Sequence, residues 1–189
     1  MRKRDDFEDD GRTIADMSGI GPAPTLRPHR RKADAPPPEP ANDRPWEQAP
    51  DWMVEDARSL FAAATDRGWH RDGADGFVYT TDWTGNPVVP DRMHWVVAEA
   101  IGAAATLWRR TGDERYARLY ERYWDYAAVH LIDRECGSWR HQLDGENRPA
   151  DSTWRGKPDL YHAAQATLIP QLPLAPTMAS AIARGLLPS

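Results

Sequence analysis

Residues 93–110 read MHWVVAEAIGAAATLWRR, and the fold class turns on this stretch. Placed on a 3.6-residue period, its apolar side chains fall on nearly every side, which is the pattern of a helix covered by neighbours over most of its surface. A helix of this kind needs partners, and the flanking sequence supplies them. Thr111-Gly112-Asp113 breaks the helix and caps another, in which Tyr116, Leu119, Tyr120, Tyr123, Trp124, Ala127 and Leu131 recur at helical spacing. The two read as a helical hairpin with a tight loop.

Working outward, Asp51 is placed to cap and Gly68 to stop a helix over about 51–66, carried by Val54, Ala57, Leu60, Phe61 and Ala64. GFVYTTDWTGNPVV at 76–89 is β-branched and aromatic with Gly85-Asn86-Pro87 as turn formers, so a hairpin or two short strands are expected between helices. GSWRHQLDGENRP at 137–149 reads as a strand, an Asp-Gly turn and a second extended piece. Two further helices are expected over 159–169 and 177–186, separated by prolines. The fold expected is all-α, about five helices with short β-hairpin insertions, arranged as part of an α/α toroid or solenoid.

The chain has 189 residues, enough for one ordinary domain, or a smaller one plus a tail, and too few for two enzyme domains. A net charge of −5 argues against a general nucleic-acid binder, and one cysteine, Cys136, can form neither an internal disulfide nor a thiolate-rich zinc site. The basic start MRKRDDFEDD has no apolar stretch behind it, and 93–108 is too short for a membrane span, so a cytoplasmic protein with no membrane partner is expected. Residues 1–48 hold 8 of the 17 prolines and only one of the nine tryptophans, a composition that cannot offset the entropy of ordering it. They are read as a disordered Pro-rich tail, and 49–189 as the folded domain.

Within that domain few residues carry chemistry. Trp95 and Glu99 are four apart and share one helix face, and a carboxylate in so apolar a helix requires a cation, hydrogen bonds, a proton or a polar cavity. The sequence leaves a structural ion pair and a cavity-lining role equally open. His162 stands in the first turn of the 159–169 helix, where an imidazole can give and take a proton at neutral pH or serve only the packing. His94, His130 and His141 have similar claims with less context. Trp83, Trp139 and Trp154 fall in loops, where indoles either stack on a sugar or pack the loops onto the helices. No metal-ligand spacing and no glycine-rich phosphate loop opening a helix is present.

The strings GFVYTTDWTGNPVVPDRMHWVVAEAIGAA, HLIDRECGSWRHQLDGENRPA and GKPDLYHAAQATLIPQLPL together resemble the C-terminal part of the N-acylglucosamine 2-epimerase family, and within it the bacterial D-mannose isomerase branch. The resemblance runs from about 49 to about 186. It implies a fold, the (α/α)6 barrel, and a reaction, aldose–ketose isomerisation or C2 epimerisation of a monosaccharide such as mannose or fructose by proton transfer between C1 and C2. Neither metal nor cofactor is implied. Carried over residue by residue, His162 matches a catalytic acid/base, Trp95 and Glu99 match the cleft W-x-x-x-E pair, and Trp154 is a substrate-contact candidate.

The same likeness shows what is absent from this sequence. The family's second histidine lies in an upstream H-x-x-E-W helix, and residues 1–48 contain no such motif. Twelve barrel helices need roughly 250 residues, so residues 49–189 are expected to form an open arc, weakly active or inactive by itself. Its nearly all-apolar 93–108 helix is expected to present an uncovered face, which calls for self-association or a partner chain supplying the missing half. An unrelated glycoside hydrolase on a similar helical frame would need a second carboxylate opposite Glu99, and none is evident.

Overall fold

The computed structural model describes residues 50–172, 174 and 177–183. The Pro-rich segment 1–48 and the end of the last expected helix, 184–186, lie outside the described residues. Five α-helices and five short strands follow in the order α1 (Asp51–Gly68), β1 (Thr80–Thr81), β2 (Pro87–Val89), β3 (Arg92–Met93), α2 (His94–Thr111), α3 (Glu114–Tyr126), β4 (Gln142–Leu143), β5 (Pro149–Ala150), α4 (Tyr161–Leu168) and α5 (Met178–Ala183). The described residues are mostly helical, as the periodicity predicts, and a hairpin forms at each of the two expected places: β1 pairs antiparallel with β2, and β4 with β5. One pairing was not read from the sequence. Strand β3 joins β4 to give a three-stranded sheet ordered β3-β4-β5, with Met93 opposite Gln142.

The α2–α3 hairpin is built as the local chemistry dictates. Gly112 takes a left-handed conformation (φ 69°) and its N–H closes on the Trp108 carbonyl at 2.7 Å, the C-terminal stop that glycine supplies without steric cost. Asp113 then caps α3, its carboxylate accepting from the Arg115 N–H at 2.9 Å. The helical run to Leu131 is present but changes pitch, since residues Ala127–Leu131 continue α3 as a π-helical turn. Helix α1 begins and ends differently from the reading. Asp51 is its first residue and makes no side-chain cap, and Gly68 is its last helical residue. A side chain at Gly68 would meet the Phe77 ring at 2.9 Å, so close packing explains this glycine better than chain reversal does.

The core gathers around α2. Val97, Ala98 and Ile101 meet Tyr123, Tyr126, Ala127 and Leu131 from α3 and its π turn, Ala166 from α4, and Phe77, Trp139 and Leu143 from the loops and sheet. At 100° per residue the buried positions of α2 wrap more than half of its circumference. The expectation of an uncovered face on 93–108 is therefore corrected, because α3 and α4 pack against it. The uncovered apolar face belongs instead to α1, which has no buried residue and leaves Trp52, Met53 and Leu60 exposed.

One buried charge ties the first loop to the sheet. Arg92 is fully buried; its guanidinium donates to both Asp72 carboxylate oxygens at 2.9 and 2.7 Å and to the carbonyls of Ala74, Asp75 and Pro90. Burial alone would raise the Asp72 pKa, and the guanidinium together with hydrogen bonds from backbone N–H groups more than reverses this, holding the carboxyl below its ordinary value. Arg92 is thereby a satisfied buried cation, and it fixes β3, from which α2 starts. Among the described residues no helix is long and apolar enough to cross a membrane.

Candidate functional site

The junction of β3 with α2 sets the site. Because β3 pairs with β4, the His141 carbonyl sits where α2 begins and accepts both the His94 backbone N–H and the His94 ring Nδ1–H at 3.2 Å. A carbonyl can only accept, so this contact fixes the His94 tautomer with its proton on Nδ1. Its Nε2 is buried and has no hydrogen-bond partner among the described residues. Burial drives the His94 pKa down to about 4, the hydrogen bond to His141 only partly opposing it, and this keeps the ring neutral at physiological pH. Burial lowers the pKa of His141 too.

Helix α4 brings the third imidazole. Asp159 accepts from the Tyr161 N–H at 3.0 Å, so α4 starts two residues later than the sequence suggests, and His162 lies in its first turn. The His162 ring stands 5.7 Å from that of His94. Its Nδ1–H donates to Glu99 Oε1 at 2.9 Å. A carboxylate on Nδ1 orients the ring and leaves Nε2 as the atom that can take a proton, a base held in one tautomer. Glu99 is more than half exposed. Its presence on an apolar helix thus has a local reason: it is on the open side of α2 and is paired across to α4.

The walls are aromatic. Trp95, four residues before Glu99, meets Tyr79 edge to face at 5.9 Å, and its indole lies 6.2 Å from that of Trp154 at 84°. Trp154 in turn stacks on His141 at 5.6 Å and 18°. Trp95, Glu99, Trp154 and His162 are therefore neighbours in space, although they span 68 positions of sequence. Of the other loop tryptophans, Trp139 is buried in the core and Trp83 stands wholly exposed on the β1–β2 turn, so neither joins this surface. His94 and His141 do join it. Their signal in the sequence was faint, because only the β3–β4 register brings the two together.

Hollows lie elsewhere, one of about 400 Å³ bordered by Arg118, Glu121, Arg122 and Asp125, another of about 730 Å³ bordered by Asp72, Asp91, Asp144 and Arg148. Both are open; the first is bordered also by His130 and the second by the Asp144–Arg148 ion pair, and neither includes His94, His141 or His162. Chemistry, not concavity, singles out the His94–His141–His162 surface: an oriented base, a carboxylate and two indole faces lie within a few ångströms.

Residues 42–166 match the family model of N-acylglucosamine 2-epimerase (GlcNAc 2-epimerase). The chain is 57% identical over 135 residues to D-mannose isomerase of Thermobifida fusca, covering 71% of this chain and 33% of that protein. It is 52% identical over 145 residues to D-mannose isomerase of Pseudomonas cannabina pv. alisalensis, covering 77% and 35%. A crystal structure of D-mannose isomerase superposes with TM-score 0.58 at 30% identity, over 64% of this chain and 31% of that one. Cellobiose 2-epimerase from Spirochaeta thermophila DSM 6192 superposes with TM-score 0.51 at 25% identity, over 64% and 30%. The chain spans about a third of the length of these relatives. By the match over most of its domain, this chain belongs to the N-acylglucosamine 2-epimerase family.

Proposed function

We propose that this surface is one wall of the sugar cleft of an aldose–ketose isomerase or 2-epimerase acting on a monosaccharide such as mannose or fructose, within a partial (α/α)6 barrel. The observation that carries the reading is the His162–Glu99 hydrogen bond beside Trp95 and Trp154. The two indoles stack on the C–H faces of the sugar. His162 Nε2 takes the proton from C2 of the open-chain aldose; the C–H electron pair forms the C1–C2 double bond, and the carbonyl electrons move to O1, giving a cis-enediolate. Return of that proton to C1, with the O2 hydroxyl proton passing to O1, gives the ketose. Delivery of a proton to the opposite face of C2, by a donor on that side, gives the epimer. Glu99 holds the ring's tautomer and steadies the imidazolium while it carries the proton.

Ring opening and the far side of the sugar need groups beyond those described here. The 189-residue chain therefore converts sugar weakly or not at all alone, and a polypeptide supplying the remaining helices raises the rate. The test is D-mannose to D-fructose conversion in D2O followed by NMR, with and without His162→Ala. Deuterium entering C1 or C2, and a loss of ~10² to 10⁴ in rate on removing His162, is expected. Conversion that His162→Ala leaves unchanged overturns the assignment.

A second reading has its own support in α1, whose uncovered Trp52, Met53 and Leu60 suit contact with another chain. In it the protein is a non-catalytic fragment that associates with a chain supplying the missing barrel half. Co-purification with that half and no conversion in the complex would favour it.

A further inference from the structure

Gln142 is only 1% exposed and sits in the middle strand of the three-stranded sheet, one residue after His141. Its amide is saturated. Nε2 donates to Asp91 Oδ2 at 2.5 Å and to Ser152 Oγ at 2.6 Å, while Oε1 accepts the backbone N–H groups of Thr153 and Trp154 at 3.0 and 3.1 Å. Ser152 Oγ completes the set by donating to Asp91 Oδ2 at 3.3 Å. A side-chain amide has two donors and an oxygen with two lone pairs, so every capacity of Gln142 is used, and three of its four hydrogen bonds hold the segment carrying Trp154, the fourth tying the amide to Asp91.

That segment has no frame of its own. Residues 151–160 form neither helix nor strand, and Trp154 is half exposed. Consecutive residues of the sheet segment therefore fix Trp154 twice: Gln142 grips its backbone and the neighbouring His141 stacks on its ring. A loop indole left unsupported would sample many rotamers, and ordering it on binding would weaken affinity.

We infer that Gln142 is the positioning residue of this aromatic wall: it presents Trp154 to the sugar and sets sugar affinity without touching the sugar. The affinity part rests on the isomerase reading above; the positioning part does not, and the experiment separates them. Trp95 and Trp154, 6.2 Å apart and nearly perpendicular, couple as an exciton pair in the far-ultraviolet circular dichroism of the full chain. Trp154→Phe isolates their share from that of the Trp124–Trp139 pair.

Gln142→Leu keeps bulk and removes all four hydrogen bonds. It is expected to abolish the Trp154-dependent couplet and weaken D-mannose binding, followed by calorimetry, about tenfold. Gln142→Leu with Trp154→Phe is expected to bind no more weakly than Trp154→Phe alone, since the first acts through the second. Gln142→Glu sets a carboxylate against Asp91 and loses the couplet; adding Asp91→Asn lets an amide donate to the new carboxylate and restores it. This swap tests the inference even where Gln142→Leu does not fold. A couplet that survives in folded Gln142→Leu, failure of the swap to restore it, or additive losses of affinity overturn the inference. Loss and restoration of the couplet in a chain that binds no mannose support the positioning part and overturn the affinity part.

Discussion

Helices α1 and α2 are each 18 residues long and carry apolar side chains at helical spacing, yet one has no buried residue and the other has eight. The difference lies in neighbours. Helix α2 begins directly at a sheet strand and is packed by α3 and α4, whereas α1 touches the rest through a few edges, such as Phe61 against Tyr116 at 5.7 Å and Thr65 against the Tyr123 hydroxyl at 3.2 Å. An amphipathic pattern states which face a helix can bury. Whether it does so depends on what is present to cover it, and this chain spans only about a third of its relatives.

The contrast is broken most directly by large-to-small substitution. Ile101→Ala in α2, at a fully buried site, is expected to cost ~2–5 kcal/mol of unfolding free energy in urea titrations. An effect below ~1 kcal/mol would mean that α2 is not the centre of the core. The pH dependence of stability sharpens the same point. His94 opens α2 with its pKa lowered from 6.5 to about 4, so the unfolded chain binds the proton first. Its contribution is complete above pH 6.5 and is lost as pH falls toward 4, by on the order of 1–3 kcal/mol.

His130 and His141 are lowered in the same direction and add to this loss. The depressed carboxylates, Asp72, Asp82, Asp133 and Asp144, start from 3.8 and act below this window. Urea midpoints measured from pH 8 to 4 should fall, and should fall less in His94→Gln; an equal fall in both would remove His94 from the account. The smallest effect is expected on α1. Leu60→Gln should change stability by no more than ~0.5 kcal/mol and leave the near-ultraviolet spectrum unchanged. A loss above ~2 kcal/mol would show that α1 is covered in solution, and sedimentation would then identify a second copy as the cover.

Legibility in the sequence followed the range of the interactions. The i, i+4 placement of Trp95 and Glu99 was readable, and so were the Gly112 stop, the Asp113 cap and both hairpins, since each is decided within a few residues. His162 and Trp154 stood out as candidates with a bland alternative left open, and only the resemblance gave them roles, as no spacing linked them to Trp95. The partner of Glu99 was not readable, being 63 positions away on α4. The clamp of Gln142 on Trp154 was missed altogether. A buried glutamine in a strand gives no periodic signal, and its function appears only when Asp91, Ser152 and Trp154 are brought around it.

The sequence by itself determined where helices form, where they stop and which faces can be apolar, because propensity, capping and turn geometry are settled by neighbours along the chain. The tertiary structure decided which apolar face is covered, which histidine keeps which tautomer and which carboxylate meets which imidazole. Those outcomes depend on burial and on hydrogen bonds between residues tens of positions apart, and only the packing of α4 and the β3–β4 register against α2 brings them within reach.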